Sequence, residues 1–537
     1  LLCYKLCFED SAGAGFELSM ADIARGVRSF TIGTAISRVL GLARETVFAF
    51  LFGAGRSTDA FNAAFRIPNL LRDLFAETSL SAAFVPVLTE QKGKSKDAEN
   101  LIASNIFNTL LLVVGIVSVA GIFLSPFLAK IIAPGFGSAP DKLALTGRLT
   151  GIIFPFLLFV ALAAWAMSYL NTEGEFFIPS LAPAFFNVFS IAMPLAMFAY
   201  YTHRGGDPIY GAAIGVTVGG LMQFAVQGPR LFKKGFKYKF YINFRDPAFR
   251  KVMVLFVPVA IGLAGSRINV FVNTVLVSFL EERSLTWLNY AFRIMHLPLG
   301  LFGIAVGAVA LPTLSRFVTE GNLDEIRKTL YDSLKMVFFL TIPTSVIIAF
   351  LSLPITSIIY QHGKFTAFDT SATAQALILY IIGIPFMSGL RNVAVVFYAY
   401  KDAKTPMYAS FASIGINIVL NITLMRVMGF RAFPLSTTIS ALVNIAILFA
   451  FLPRKIGKFE MMPVVGYFMA LTLTSALGGL GGWMLNGFLL KMTGISFMAT
   501  VLRFVFCGAA AFVIFHVACL LLGIKEAREY LRRFTRG

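Results

Sequence analysis

Charge is scarce in this chain. Only 14% of its 537 residues are Asp, Glu, Lys or Arg, against about 25% in a soluble domain. Hydrophobic residues make up 57% and the mean hydropathy is +0.78. That balance excludes a water-soluble globular protein and leaves an integral membrane protein. There are four cysteines, Cys3 and Cys7 near the start and Cys507 and Cys519 in the last apolar run. So placed, they make neither a disulfide framework nor a metal site. No Gly-x-Ser-x-Gly elbow, no phosphate-binding Walker loop, no His-Glu-x-x-His and no His/Cys cluster occurs. Carboxylates are few in the apolar runs, which argues against a membrane hydrolase and against carboxylate-rich ion pumping. We therefore expect neither an enzyme nor a bound cofactor.

What the chain has instead is long hydrophobic runs. Read for stretches of about 20 residues, it gives fourteen candidate spans between residues 28 and 523. The run 60–90 is the most interrupted, by Arg66, Arg72, Asp73 and Glu77. The connecting loops alternate in charge. The loops 91–99, 229–251, 316–328, 401–404, 454–458 and 525–537 hold 24 Lys and Arg between them, whereas the opposite loops hold 7. Basic loops stay on the cytoplasmic side, so both termini are expected in the cytoplasm, as an even number of spans requires. The net charge of +19 is thus mainly an orientation signal and not a nucleic-acid footprint. Lys233, Lys234, Lys237 and Lys239, interleaved with Phe and Tyr, also suit anionic lipid heads.

An internal repeat divides the chain. Arg56 to Ile67 aligns without gaps on Arg283 to Ile294, with seven of twelve positions identical at an offset of 227. The same offset carries Pro179 onto Pro406, and Pro86 meets Pro312 at 226. An offset spanning six helices keeps orientation, so the halves are parallel repeats, a transporter arrangement. The expected organisation is an extension over 1–24, an N-lobe of six helices over 25–230 and a C-lobe of six over 231–458. Two added helices follow over 459–524 and a basic tail over 525–537. The crevice between lobes is the natural site.

The most informative residues are arginines in or against the apolar runs: Arg38, Arg44, Arg72 and Arg293. A charge at bilayer depth costs roughly 2.5 to 3.5 kcal/mol on insertion scales. Several together point to a water-filled cavity that holds an anion, and four guanidiniums suit phosphate better than lysines would. Arg38 and Arg44 lie about 120° apart on a straight helix, and Gly41 between them permits a bend that turns both one way. Ser37 can donate to a phosphate oxygen. Glu45, seven residues after Arg38, falls nearly on its face. Pro68 is expected to free a backbone carbonyl. Arg66, the repeat mate of Arg293, either snorkels or pairs with Asp59. The competing reading is a set of internal ion pairs, Arg38 with Glu45 and Arg72 with Asp59 or Glu77. His296 is either a packing residue or a proton or ligand group. Asn417 and Asn421 share a helix face, either as helix packing or as oxygen ligands for a cation.

At Ser37-Arg-Val-Leu-Gly-Leu-Ala-Arg44-Glu, Phe52-Gly-Ala-Gly55, Thr58-Asp-Ala-Phe61, Pro68-Asn-Leu-Leu-Arg72, Phe75-Ala-Glu77 and Ala83-Phe-Val-Pro86, the chain resembles the MurJ (MviN) lipid II flippases. These belong to the multidrug/oligosaccharidyl-lipid/polysaccharide exporter superfamily. The similarity continues at Pro134-Gly-Phe136, Tyr290-Ala-Phe-Arg293, Tyr360-Gln-His-Gly-Lys-Phe-Thr366 and Lys404-Thr-Pro406, and spans roughly residues 25–530. The resemblance implies fourteen helices in an all-α polytopic fold, two six-helix lobes around a central cavity, and two C-terminal helices forming a groove for a lipid tail. It places the family's essential cavity arginines on Arg38, Arg44, Arg72 and Arg293, with Ser37 beside them, and family acidic positions on Asp59 and Glu77. The sequence departs from some members in offering Asn417 and Asn421 where they hold sodium with a carboxylate, and His296 where relatives carry glutamate.

The function so implied is translocation of lipid II, the undecaprenyl-pyrophosphate-linked peptidoglycan precursor, from the cytoplasmic to the outer leaflet of the bacterial inner membrane by alternating access. The expected partners are lipid II, membrane lipids and other cell-wall synthesis proteins. The rivals are a flippase for another polyprenyl-linked oligosaccharide and a drug/cation antiporter of the same superfamily. The second would need buried carboxylates where this chain buries positive charge. A membrane-embedded glycan polymerase would need catalytic carboxylates or histidines.

Overall fold

Helices account for every regular element that a computed structural model describes over residues 20–75, 77–300, 304–494 and 496–528; within these, the side chains of 20–27, 75, 77, 78, 261–266, 304–306, 308, 309 and 493 are outside the description. Residues 1–19 of the expected extension and 529–537 of the expected tail lie outside the described residues. The chain divides into two compact units, Leu1–Arg283 and Ser284–Gly537.

In the first unit the helices are α1 (Met20–Phe52), α2 (Arg56–Phe75), α3 (Glu77–Lys94), α4 (Lys96–Phe123), α5 (Ser125–Ile132), α6 (Pro140–Ile153), α7 (Phe156–Thr172), α8 (Phe177–His203), α9 (Ile209–Ala225), α10 (Gly228–Lys233) and α11 (Pro247–Val277). The second unit holds α12 (Ser284–Pro298), α13 (Ile304–Thr319), α14 (Leu323–Phe350), α15 (Ser352–Tyr360), α16 (Ala367–Ile381), α17 (Ile384–Ala399), α18 (Lys404–Met428), α19 (Ala432–Phe451), α20 (Pro453–Ile456), α21 (Met461–Thr493) and α22 (Phe497–Leu521). Among the described residues nine helical stretches are long and apolar enough to cross a membrane, some of them, such as Pro140–Thr172, containing two helices in succession. Each of the fourteen hydrophobic runs coincides with one helix or with two consecutive ones, as 60–90 does with α2 and α3.

The repeat is visible in helix register. Arg56 opens α2 and its mate Arg283 directly precedes α12, while Pro179 and Pro406 are each the third residue of their helices, α8 and α18. Proline in a first turn removes an N–H that has no helical acceptor, so both starts are unstrained. In the first unit α8 packs on α1 and α9, α7 on α3, α4 and α9, and α11 on α2 and α3. In the second, α21 pairs with α22 and α14, and α17 packs on α13, α14 and α19. Close approach of α21 to α22 depends on glycine. A Cβ on Gly482 would lie 2.8 Å from the Cys507 carbonyl oxygen, and one on Gly478 would meet that of Ala511, the small-residue packing that membrane helices use.

Polar groups at the helix ends are closed locally. Ser95 accepts from the Ala98 amide at the start of α4, Asn322 from Glu325 at α14, and Asp246 from Ala248 and Phe249 at α11. Thr366 and Asp369 form a reciprocal capping box on α16, and each such cap serves backbone N–H groups that no helix turn can. The stretch between α10 and α11 has no helix partner of its own, so a ladder of side chains on α4 serves it. Asn100 meets Gly235 O and Lys237 N, Ser104 meets Lys239 N, and Asn108 meets Lys239 O and Tyr241 O. Spaced four apart, these residues share one face of α4.

Asp402, just ahead of α18, shows how such a cap titrates. The Thr405 amide at 3.1 Å donates to it, Lys455 lies at 3.0 Å and the Thr405 hydroxyl at 2.8 Å. Together they hold its carboxyl down to about 2 against the pull of burial. A depressed carboxyl stabilises the fold fully above its unfolded value, about 3.9, and that contribution disappears as the pH falls from there through 2. Thermal unfolding of the detergent-solubilised protein should therefore lose stability over that acid window, and Asp402→Asn should flatten this part of the pH profile.

Candidate anion-binding site

The three arginines of the first unit sit on two helices, and each environment differs. Arg38 is exposed on α1. Arg44, half-buried one and a half turns further on, sends Nε and Nη2 to Glu45 Oε1 at 3.1 and 2.6 Å, and its guanidinium lies 5.3 Å from the centre of the Phe186 ring on α8. Glu45 is thus the partner of Arg44, its neighbour in sequence, and not of Arg38 as helical spacing suggested. The reason is reach: an arginine folded back along the helix surface meets the adjacent carboxylate with two donors on one oxygen.

α1 runs without interruption from Met20 to Phe52, and at Gly41 it faces Asn187 of α8, whose amide nitrogen would stand 3.6 Å from an added Cβ. Asn187 Nδ2 donates to the carbonyl oxygen of Ser37 at 3.0 Å. A second donor on that carbonyl ties the Ser37–Arg38 turn to α8 and fixes where Arg38 leaves the helix.

Pro68 lies inside α2, which runs on past it to Phe75. Arg72 places Nε and Nη2 on Asp73 Oδ1 at 3.2 and 2.9 Å, a carboxylate adjacent to it in sequence that helical spacing did not single out. The Glu77 side chain lies outside the described residues. Asp73 Oδ2 receives a second arginine, Arg267 of α11, at 3.0 Å. Arg267 interrupts the apolar run 251–280 and satisfies the criterion that singles out the other arginines. Its apolar neighbours hide it in any averaged hydropathy.

Asp59 has a structural environment. It is nearly closed to solvent, with Lys142 of α6 at 2.9 Å and the Arg283 amide at 2.8 Å on the same Oδ2. Lys142, equally buried, stands 4.1 Å over the Phe136 ring. Lysine, aspartate and aromatic ring form a closed set that joins α2, α6 and the turn after α11. Arg66 is half-buried on α2.

In the second unit Arg293 is half-buried on α12 and His296 follows one turn later, exposed. The His296 ring lies 4.0 Å from that of Phe292, and Nδ1 is 2.9 Å from the Phe292 carbonyl oxygen, a geometry in which that nitrogen donates. Asn417 and Asn421 are fully buried on α18, and Asn421 Nδ2 donates to Asn417 Oδ1 at 3.1 Å. Their pairing spends one oxygen on the neighbouring amide. Among the described residues no group of three or more His, Cys, Asp or Glu could hold a metal ion.

Chemically, the first unit offers Arg44 and Arg72, whose guanidiniums each engage a carboxylate, and an exposed Arg38. Such groups suit a planar or tetrahedral oxyanion. Breaking the buried Asp59–Lys142 pair should be costly. Lys142→Met leaves Asp59 buried without its cation and should lose about 3–5 kcal/mol, whereas Asp59→Asn with Lys142→Met should recover much of it. Chemical unfolding in detergent measures both.

Comparison with known proteins shows what the chain as a whole is similar to. The family model described as "Lipid II flippase MurJ" matches residues 48–503. A probable lipid II flippase of Vibrio cholerae is 35% identical over 92% of this chain and 94% of its own length. Among solved structures, a lipid II flippase MurJ in an inward closed conformation superposes with a TM-score of 0.72 at 29% identity, over 91% of this chain and 99% of that one. An inward-facing MATE family multidrug transporter of the MOP superfamily shares the fold at a TM-score of 0.63 and 14% identity, over 80% of this chain and 98% of its own.

Proposed function

This chain belongs to the MurJ family of lipid II flippases, and we propose that it carries lipid II from the cytoplasmic to the outer leaflet of the cell membrane by alternating access. The observation that carries this reading is the family match across 48–503, at similar length to its relatives. It is a transporter family, and the chain is a multi-pass membrane protein of that kind. In this reading Arg38, Arg44, Arg72 and Arg293, with Ser37, bind the pyrophosphate of the undecaprenyl-linked disaccharide-pentapeptide. Glu45, Asp59, Arg66, Glu77 and His296 support or gate the site. Six-helix lobes over 25–230 and 231–458 rock about it, and the helices of 459–524 receive the lipid tail. Both termini lie in the cytoplasm, on the side of the basic loops.

The electrostatics support the choice of ligand. A guanidinium already holding a carboxylate can exchange that oxyanion for a phosphate oxygen with little change in desolvation, so binding stays reversible. Because the head is anionic, outward movement down an inside-negative potential gains about 2.3 kcal/mol per charge per 100 mV. The potential is therefore the proposed driving force.

Depletion of the protein in cells should leave lipid-linked precursor on the cytoplasmic leaflet, and an unchanged leaflet distribution would refute the reading. Arg→Ala at Arg38, Arg44 or Arg293 should abolish transport, and Arg→Lys should restore it only in part, since lysine keeps the charge and loses the bidentate fork. Full activity of the lysine variants would show that charge alone suffices. Collapsing the potential with valinomycin and potassium, at fixed pH and sodium gradients, should slow appearance of precursor outside. An equal rate would exclude the potential as the driving force.

A further inference from the structure

We propose that Arg267 is a further anion ligand of the transport site, paired with Arg72 into one two-guanidinium fork that Asp73 holds in place. This rests on the reading of Arg72 as a pyrophosphate ligand. The geometry starts from Asp73, which is 6% exposed. Its Oδ1 takes two donors from Arg72 on α2 and its Oδ2 takes Arg267 Nη2 of α11 at 3.0 Å. One carboxylate thus lies between two guanidiniums, and the trio carries a net charge of +1.

The Asp73–Arg267 pair joins α2 to α11, yet it does not use all of the Arg267 donors. The Arg267 side chain is 42% exposed, its ion pair with Asp73 takes Nη2, and Nε has no acceptor among the described residues. Arg72 is 24% exposed on its side chain. The two guanidiniums are therefore bound to opposite oxygens of the same carboxylate and remain reachable. Two planar forks so fixed match the several oxygens of a phosphate or pyrophosphate group, and their orientation is set before the ligand arrives. Arg267 sits ten residues from the end of α11 at Val277, about 15 Å along the helix axis, so it belongs to the span and not to a loop.

The experiment measures binding of fluorescently labelled lipid II to the full-length protein in phosphatidylcholine nanodiscs, over a range of salt, with unfolding temperature recorded in parallel. Arg267→Gln should weaken binding about tenfold or more, the size expected for losing hydrogen bonds to a charged group, and should flatten the salt dependence. Arg267→Lys should recover part of the affinity. Asp73→Asn removes the carboxylate that fixes the fork and raises the local charge by one unit, so the salt dependence should steepen where Arg267→Gln flattens it. Undecaprenyl pyrophosphate should compete with the probe, and undecaprenol should not.

If Arg267→Gln binds as the wild type, or lowers affinity without flattening the salt dependence, Arg267 acts only as a staple through Asp73 and the proposal fails. Arg44→Ala and Arg72→Ala separate this from the broader reading. If those two weaken binding while Arg267→Gln does not, only the fifth guanidinium is lost. If neither weakens binding, the cationic site itself is misassigned.

Discussion

Everything in this molecule depends on one constraint: a charge or a backbone dipole placed among apolar helices must be met by another group of the same chain. Water is absent from the hydrocarbon layer, and an unmet group costs several kcal/mol there. Lys142 and Asp59 meet each other, and the Arg283 amide takes up the same carboxylate oxygen. The extended stretch before α11 finds its partners on Asn100, Ser104 and Asn108. Helix starts are closed by Ser95, Asp246, Asn322, Thr366 and Ser496.

The same constraint shapes the cationic site. Arginine cannot be neutralised by losing its proton, so its charge persists at any depth. Arg44 and Arg72 each meet it with a carboxylate adjacent in sequence. A neighbour on the chain holds the guanidinium from within the same helix. A carboxylate in this place also limits how tightly an anion is held, which a carrier needs because its substrate must leave.

Much of the architecture was legible in residue order. The helical runs were, because hydrophobic length is a one-dimensional property. So was the repeat, since Arg56 to Ile67 and Arg283 to Ile294 open their helices in matching register. The pairings inside the site were not. Glu45 stands on the Arg38 face of an ideal helix, yet the long arginine side chain of Arg44 turns back to it. Asn187, 150 positions from Ser37, donates to its carbonyl oxygen beside Gly41. Arg267 shares a carboxylate with a residue 195 positions away in the chain, and no periodicity on one helix predicts such a contact.

The sequence by itself determined that this is an all-helical membrane protein of two related halves, with arginines in its apolar runs and a family to which they belong. Those properties follow from hydropathy, charge count and local residue order, none of which needs a fold to be read. The tertiary structure decided which carboxylate each cation meets, and that Asp73 serves two arginines from different helices. Such partnerships are set by where helix faces lie in space, and a single helix face carries no information about its neighbour.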